Sequence, residues 1–308
     1  MNIIDIISKK TMLPSSNVIT FINTAPYRYK KYYLKKNNGS LREIAQPSRE
    51  LKIMQKLILN ILSEFLPVHE NAFAYIEGKS IKLNALKHKE NKYFLKMDFS
   101  DFFNSIKPID LRNILIKNGF ESNMYNLKLI DNLFFYKKTK KSALSLSVGA
   151  PSSPLISNAV LYQFDIELSE ICRNENITYT RYADDLTFSS NEKGKLIDFP
   201  KVVYLILRKM HSPKIKVNNS KTIYTSKAVS RRVTGITINN QGELSLGRHK
   251  KRVICSLIHK FLQGELDNDE IHKLKGYLSY AKHIEINFIK SMEKKYGVEL
   301  LNSIKKVV

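Results

Sequence analysis

The chain has 308 residues, 43% of them hydrophobic, so it is long and apolar enough to fold around a sizeable core and is not a disordered chain. Fifty-one basic residues against 28 acidic ones give a formal net charge of +23, which favours a polyanionic partner such as a nucleic acid. No apolar run approaches the roughly 18–20 residues of a membrane-spanning helix, so no membrane contact is expected.

The basic residues are unevenly distributed. No Asp or Glu occurs over residues 199–242, which still contain nine lysines and arginines. A generally Lys-rich composition is the alternative explanation, but it would spread the charge evenly over solvated faces. The acid-free stretch therefore favours a long nucleic acid as the partner.

Two features bear on the compartment. The amino terminus carries Asp5 early and has neither a basic leader nor a small-residue cleavage site, so no export signal is expected. Cys172 and Cys255 are far apart and lack metal-ligand spacing. A reduced, cytoplasmic protein is the prediction.

The amino-terminal part begins with short helical pieces over residues 1–25. Two alternating runs, 32–36 and 41–45, flank an Asn-Gly pair, which predicts a β-hairpin because Asn and Gly tolerate positive φ. Pro47 ends the second strand. Residues 51–65 then repeat apolar side chains at a helical period.

Helices and strands alternate over the rest of the chain. Strands are predicted at 93–99, 177–182, 186–189, 222–225 and 233–238. Helices are predicted at 111–120, 154–174, 202–210 and from about residue 250 to the end, and a basic loop at 136–142. Several strands are hairpin partners, so the predicted fold class is α+β with a mostly antiparallel central sheet.

Three carboxylates stand at predicted strand ends. Asp184 and Asp185 occupy the tip of a strand–turn–strand unit, and Asp98 ends another apolar strand. Phosphoryl transfer from a nucleoside triphosphate uses two divalent ions roughly 4 Å apart, and Mg²⁺ prefers carboxylate oxygens. If the two strands are neighbours, the three side chains meet. Taken singly, each Asp is ordinary turn chemistry, and the combination is what favours catalysis.

These motifs resemble those of the reverse transcriptases. Residues 98–103, Asp-Phe-Ser-Asp-Phe-Phe, resemble their first palm motif, and Tyr-Ala-Asp-Asp at 182–185 the most specific one. The resemblance implies two Mg²⁺ ions at Asp98, Phe99, Asp184 and Asp185. It also implies deoxynucleotide binding at Asp101, Phe102 and Phe103, with Phe103 as the gate against a ribose 2′-hydroxyl; core packing is the alternative role of that ring.

Three further segments match the family. Gly149 and Ala150 lie in a loop that resembles the motif positioning the templating base and the nucleotide, with Val148 where most relatives have Gln. Lys221 matches a lysine that can protonate the leaving pyrophosphate; one more surface Lys is an equal alternative. Arg42 matches the triphosphate grip, an arginine fork suiting that task, with Lys35 or Lys36 nearby.

Two short signatures resemble those of the retron reverse transcriptases. Asn84 and His88 stand in an Asn-Ala-x-x-His pattern, and residues 233–235 read Val-Thr-Gly. The resemblance implies binding to the enzyme's own structured non-coding RNA. The residues expected to contact it are Asn84, His88, Val233, Thr234, Gly235, Arg248, Lys250, Lys251 and Arg252. His88 alone would more simply be a satisfied polar residue.

The family implies a right-hand polymerase with fingers at 1–92 (completed by 107–148), palm at 93–106 and 149–240, and thumb at 241–308. It implies priming from a guanosine 2′-hydroxyl, a branched single-stranded DNA product, and defence against phage with a neighbouring effector protein. About 60 residues follow the palm, too few for an RNase H or endonuclease module. Another class of free-standing bacterial reverse transcriptase, or a non-catalytic RNA-binding scaffold, are the alternatives.

Overall fold

The computed structural model describes residues 2–35, 39–210 and 212–306. Its amino-terminal elements are α1 (Ile3–Thr11), α2 (Ser15–Thr24), β1 (Tyr29–Lys35), β2 (Leu41–Pro47) and α3 (Arg49–Leu62). The predicted hairpin is confirmed, because β1 and β2 pair antiparallel from Tyr29 opposite Pro47 to Lys35 opposite Leu41. Ser48 caps α3 by accepting a hydrogen bond from the Leu51 amide.

The next elements surround the central strand β3. In chain order they are α4 (Ile81–Lys87), β3 (Tyr93–Ser100), α5 (Phe102–Ser105), α6 (Pro108–Lys117), α7 (Met124–Phe134), β4 (Tyr136–Lys137) and β5 (Leu144–Ser145). The predicted strand at 93–99 and helix at 111–120 are thus confirmed to within a few residues. The two ends of the predicted basic loop at 136–142 are drawn together by β4 and β5, which pair with each other.

The third group completes the sheet. It comprises α8 (Ser153–Val160), α9 (Tyr162–Asn174), β6 (Thr178–Tyr182), β7 (Asp185–Ser190), α10 (Phe199–Lys209), β8 (Lys216–Val217), β9 (Ile223–Ser226), β10 (Arg231–Val233), β11 (Ile236–Ile238) and β12 (Leu244–Ser245). The central sheet has the order β6-β7-β3-β8, with β9 also pairing β3, and every pairing in it is antiparallel. This confirms the α+β class.

Two predicted elements differ from the structure. The single helix predicted at 154–174 is two helices, because Leu161 between them has φ −88° and ψ 6°, outside helical geometry. The single strand predicted at 233–238 is a tight hairpin. Thr234 and Gly235 both have positive φ, as the two central residues of a primed turn require, and Val233 pairs with Ile236.

The chain ends in four helices, which are α11 (Arg248–Leu262), α12 (Asn268–Ile284), α13 (Ile286–Tyr296) and α14 (Val298–Lys306). They pack around a second apolar cluster, separate from the main core, to which β10–β12 also contribute. Ala85 of α4 and Phe94 of β3 belong to this cluster too. The carboxy-terminal helices are therefore joined to the central sheet by apolar packing. Within the described ranges, no helix is long and apolar enough to cross a membrane.

Candidate active site

The three predicted carboxylates lie together on neighbouring strands. β3 pairs with β7 so that Asp98 stands directly opposite Asp185, and the Phe99 amide donates a hydrogen bond of 3.0 Å to the Asp184 carbonyl. Ala183 turns the chain between β6 and β7 with φ +57°, which sets Asp184 at the tip. The sequence condition that the two strands be neighbours is thus fulfilled.

The three carboxylates influence one another electrostatically. Burial raises the pKa of Asp185 to about 6, and the charges of Asp184 and Asp98 add to the shift. Burial also raises the pKa of Asp184, with Asp98 again contributing. Clustered carboxylates that repel one another in a partly buried position form a site where a divalent cation would relieve the repulsion.

Lys221 supplies a positive charge to this cluster. It ends a short 3₁₀ turn at Asn219–Lys221, and its Nζ lies 2.9 Å from both carboxylate oxygens of Asp98. The Asn218 amide bonds to the Asp98 carbonyl at 2.7 Å, which fixes this turn against β3. The structure therefore brings Lys221 to the site, as the sequence predicted, while its role as a proton donor stays a prediction.

The donor set suits a hard divalent cation, although no group of three or more His, Cys, Asp or Glu side chains within 2–35, 39–210 and 212–306 is arranged as a metal cage. The Asp98 oxygens contact the Lys221 ammonium, which would have to leave them for a metal to bind there. Phe99 has no ligand atom in its side chain, and its ring is buried between Phe102 and Phe164. It could offer a cation only its backbone carbonyl.

The two phenylalanine rings that follow β3 differ in burial: Phe102 is buried and Phe103 is partly exposed. Phe102 is buried in the core, where its ring stacks on that of Phe99, so its predicted nucleotide contact stays a prediction for the backbone of this residue. Phe103 is only partly buried, its ring centroid 5.2 Å from that of Phe102. Asp101 is exposed, has φ +48°, and accepts a hydrogen bond from Asn104. Phe103 and Asp101 thus remain available to a nucleotide.

Gly149 allows the close approach of strand β2, not of a nucleotide. A Cβ at this position would lie 3.0 Å from the Ala45 carbonyl oxygen and 3.0 Å from Ile44 Cγ2, and its φ is +127°. The Ala45 amide also donates to the Val148 carbonyl at 2.9 Å. The glycine is required for β2 to dock on this loop. Ala150 beside it is buried.

The hairpin carries the predicted triphosphate grip. Arg42 is exposed, and its charge opposes the rise in the pKa of Asp184, which indicates that it is near the carboxylates. Lys35 is exposed at the end of β1. Lys36 lies outside the described residues.

The Asn-Ala-x-x-His signature is inside the protein. Asn84 and His88 are both 0% exposed. His88 Nδ1 is 2.7 Å from Ser189 Oγ and Nε2 is 2.8 Å from Thr180 Oγ1, and burial lowers its pKa to about 3. The predicted direct contact of these two side chains with RNA is therefore wrong, because they have no access to a surface ligand. His88 positions α4 on β6 and β7 through these two contacts.

The Val-Thr-Gly signature packs on the same helix. Val233 is buried, and Thr234 Oγ1 donates to the Ile81 carbonyl at the start of α4 at 3.2 Å. Gly235 is exposed. The two retron signatures therefore meet at one junction between the central sheet and the carboxy-terminal helices. Val233 cannot contact RNA through its side chain.

The predicted basic contacts at the start of α11 divide into two kinds. Arg248 and Arg252 are exposed, so both are available to phosphates. Lys251 pairs with Glu285 and lies 5.4 Å from the centroid of the Phe288 ring. Lys250 Nζ lies 4.4 Å from the centroid of the Tyr280 ring. Lys251 is thus a structural link between α11 and α13 more than a free phosphate contact.

Sequence reasoning missed a buried ion pair under the Asp-Asp turn. Arg181 and Asp165 are both 0% exposed, and Arg181 Nε lies 2.9 and 3.1 Å from the two Asp165 oxygens. Arg181 Nη1 also donates to Asn158 Oδ1 at 3.0 Å and to the Ala183 carbonyl at 3.2 Å. A single charge in a strand that is otherwise uncharged was the available signal, because such a residue requires a partner when it is buried.

Tyr75 was also missed, and no pattern in the sequence marks it. Its φ is +63°, its side chain is 55% exposed, and Asp184, Tyr182 and Arg42 are its electrostatic neighbours. It therefore borders the carboxylates from the loop that precedes α4.

Comparison with known proteins agrees with this geometry. The family described as "Reverse transcriptase (RNA-dependent DNA polymerase)" matches residues 34–238. The retron Ec83 reverse transcriptase of Escherichia coli is 44% identical over 280 residues, which cover 90% of each chain. The retron Ec73 reverse transcriptase of Escherichia coli is 33% identical over 316 residues, covering 97% of this chain and 96% of that one.

Among solved structures, telomerase from Candida albicans in complex with a fragment of telomeric RNA has a TM-score of 0.48 at 13% identity, covering 90% of this chain and 59% of the other. The family assignment rests on the likeness to the retron enzymes, which extends over nearly the whole of both chains. This chain belongs to the reverse transcriptases, RNA-directed DNA polymerases of the right-hand fold, and within them to the retron reverse transcriptases.

Proposed function

We propose that Asp98, Asp184 and Asp185 hold two Mg²⁺ ions for the polymerase reaction. The observation that carries this proposal is the register of β3 against β7, which sets Asp98 opposite Asp185 beside the Asp184 turn. When bound, the ions would activate a hydroxyl nucleophile and stabilise the departing pyrophosphate. The carboxylates position them, and Phe99 would add its carbonyl.

The neighbouring residues have roles around the same point. Lys221 would leave Asp98 and give its proton to the pyrophosphate. Arg42, with Lys36, would grip the triphosphate through charge-assisted hydrogen bonds. Phe103 would exclude the ribose 2′-hydroxyl, with Asp101 and the backbone of Phe102 beside it. Gly149 and Ala150 would support the nucleotide indirectly, through the docking of β2 on their loop.

The test compares Asp184→Asn with Asp198→Asn. Both substitutions replace one carboxylate by an amide, but Asp198 is an exposed residue paired only with Lys201. Asp184→Asn should abolish extension of a primed RNA template while RNA binding and thermal unfolding stay near wild type. Asp198→Asn should extend normally. Extension by Asp184→Asn at the wild-type rate would refute the assignment.

The proposed biological reaction is the copying of part of the enzyme's own structured non-coding RNA. Priming from the 2′-hydroxyl of a guanosine in that RNA would leave the single-stranded DNA product branched to it. Membership of the retron family supports this proposal. The junction at which the two retron signatures meet supports it further, because it is where the carboxy-terminal helices join the catalytic sheet.

Branching can be tested directly. The chain would be produced with the structured RNA encoded beside its gene, and the DNA product treated with RNase and then with an enzyme that cleaves 2′–5′ linkages. A product whose mobility changes only after the second treatment is branched. A product freed completely by RNase would show that priming does not use a 2′-hydroxyl.

The cellular role we propose is cytoplasmic defence against phage, together with a neighbouring effector protein. Fingers at 1–92 and 107–148, palm at 93–106 and 149–240, and thumb at 241–308 would be the working parts. Phage plating on cells that carry the locus, compared with the locus bearing Asp184→Asn, tests the role. Equal plating on both would show that DNA synthesis has no part in protection.

A further inference from the structure

The loop that precedes α4 is fastened along the edge of the catalytic sheet. Ala72 forms a parallel bridge with Arg181 of β6, the Phe73 amide donates to the Arg181 carbonyl at 2.8 Å, and the Arg181 amide donates to the Asn71 carbonyl at 2.8 Å. Ala72, Phe73 and Ala74 are all buried. Because β6 is the edge strand, this loop extends the sheet beside the Asp-Asp turn.

The buried pair of Arg181 and Asp165 is linked through Asn158 to Ala74, the residue before Tyr75. Asn158 accepts a hydrogen bond from Arg181 and donates one of 2.9 Å to the Ala74 carbonyl. Lys79 Nζ bonds to the Ala72 carbonyl at 2.8 Å from the other end of the loop. The backbone that leads into Tyr75 is therefore held by Asn158, which is bonded to the same Arg181 that holds the Ala183 carbonyl of the Asp184 turn.

Tyr75 stands out from this framework. It follows three buried residues, yet its own side chain is 55% exposed. Its φ of +63° is unfavourable for a residue with a Cβ, so the surrounding structure must impose it. Such a conformation, imposed on an exposed aromatic residue beside a catalytic turn, serves no evident packing purpose.

Charged and polar groups of the site lie near the Tyr75 side chain. Burial raises the pKa of the Tyr75 hydroxyl, Asp184 and Tyr182 add to the shift, and Arg42 opposes it. Together with the hydrogen bonds that hold Ala74 beside the Asp184 turn, these neighbours place Tyr75 near that turn and near Arg42. Lys221 approaches the carboxylates from the β8 and β9 side of the sheet, whereas Tyr75 approaches from the β6 edge.

From this placement we propose that Tyr75 packs against the base pair formed between the template and the incoming nucleotide. The proposal rests on the proposed function, in which Lys221 gives its proton to the pyrophosphate. We place the bases on the opposite flank of the carboxylates, where Tyr75 stands. An aromatic ring is suited to this contact, because every base presents a π face and the contact does not depend on sequence. Tyr75 would thus govern nucleotide affinity without taking part in the phosphoryl transfer.

The test uses substitutions that suit the backbone. Asn and Gly tolerate positive φ, so Tyr75→Asn and Tyr75→Gly should unfold at the wild-type temperature or above it. On poly(rA) primed with oligo(dT), both should raise the KM for dTTP about tenfold, the effect of one lost base–aromatic contact, with kcat changed less than about threefold. Tyr75→Phe, which keeps the ring, should stay near the wild-type KM.

Met12→Asn is the matched control. Met12 also has positive φ, at +58°, and is 89% exposed at the end of α1. It should show the same stability and an unchanged KM. The proposal is overturned if Tyr75→Gly keeps the wild-type KM, or if it weakens only the binding of primer–template. Absence of any dTTP incorporation by the wild-type enzyme would instead contradict the proposed function.

Discussion

The Lys221 ammonium lies 2.9 Å from each of the two carboxylate oxygens of Asp98. This ammonium group occupies the side of the carboxylate cluster that faces β8. The Lys221 side chain is more than half exposed. The lysine and a metal ion would therefore compete for the same oxygens. We therefore expect Lys221 to affect metal binding as well as, in its proposed role, the departure of the pyrophosphate.

Removing this lysine should separate the two effects. In Lys221→Ala, the Mg²⁺ concentration for half-maximal activity should fall because the competing cation is gone, while kcat should fall about 10²-fold with the loss of the proton donor. Magnesium titrations of primer extension measure both values. Lys214→Ala, an exposed lysine in the same acid-free stretch, serves as the control and should change neither. An unchanged magnesium requirement in Lys221→Ala would contradict the competition.

Phe103 should control the choice of sugar, because it is the ring of the β3–α5 segment that stays partly exposed. Phe103→Val should raise ribonucleotide incorporation relative to deoxynucleotide by at least about tenfold. Single-nucleotide extension with dTTP and UTP measures the ratio. Phe65→Val removes a ring that packs on Phe120 instead and should leave the ratio unchanged. Retained activity with unaltered discrimination would leave Phe103 only a packing role.

The buried pair of Arg181 and Asp165 should stabilise the site and the fold together. Asp165→Asn leaves the guanidinium charge buried without its counter-ion, so the free energy of unfolding should fall by about 3–5 kcal/mol. Urea denaturation measures this loss. Asp198→Asn removes one partner of an exposed pair and should cost at most about 1 kcal/mol. If both variants lost the same free energy of unfolding, the buried pair would contribute no more to stability than the exposed one.

His88 should make the free energy of unfolding fall at acidic pH. Its pKa is about 3 in the folded protein and about 6.5 in the unfolded chain, so the unfolded state binds more protons between these values. Stability from this group is complete above pH 6.5 and is lost as the pH falls from 6.5 toward 3, by an amount on the order of 5 kcal/mol.

Urea denaturation across this pH range tests the prediction. His88→Gln should be less stable than wild type at pH 7 but should lose less stability on acidification. His259→Gln, at an exposed position of α11, should keep the wild-type slope. A His88→Gln slope equal to the wild-type slope would show that another group governs acid sensitivity.

The basic residues at the start of α11 should have two different roles: Arg248 and Arg252 should bind RNA, and Lys251 should stabilise the fold. Arg248→Gln and Arg252→Gln together should flatten the dependence of log K on log salt by about 0.7–0.9 for each lost phosphate contact. Lys251→Gln should instead lower the free energy of unfolding, because Glu285 loses its partner. Binding titrations at several salt concentrations, paired with urea denaturation, distinguish these effects. Identical behaviour of the two variants would contradict the division.

Local patterns predicted much of this fold. The β1–β2 hairpin follows from alternation around an Asn-Gly turn. The apolar runs of β3 and β7 predicted the two strands, but their pairing was only a condition for the site, and the structure fulfils it. The turn at Thr234 was not predicted because a Thr at positive φ contradicts its own preference, and only the packing against Ile81 shows why it is held there.

The site was predictable where chemistry selects residue type and unpredictable where tertiary contacts decide. The carboxylates could be found because metal binding demands them. The partners of the buried His88 could not be found, because they are Thr180 and Ser189, about a hundred positions away along the chain. Tyr75 owes its place to a loop pinned by Arg181 and Asn158, which no local pattern encodes.

The shared apolar cluster bears on how chimeric enzymes should be built. Ala85 and Phe94 pack with the carboxy-terminal helices, and His88 ties the same helix to Ser189 of the strand that begins at Asp185. An exchange of carboxy-terminal parts between two relatives, cut at residue 240, would place foreign helices against the recipient's α4 and β3. A graft that carries residues 81–94 together with 231–306 transfers both sides of this apolar interface.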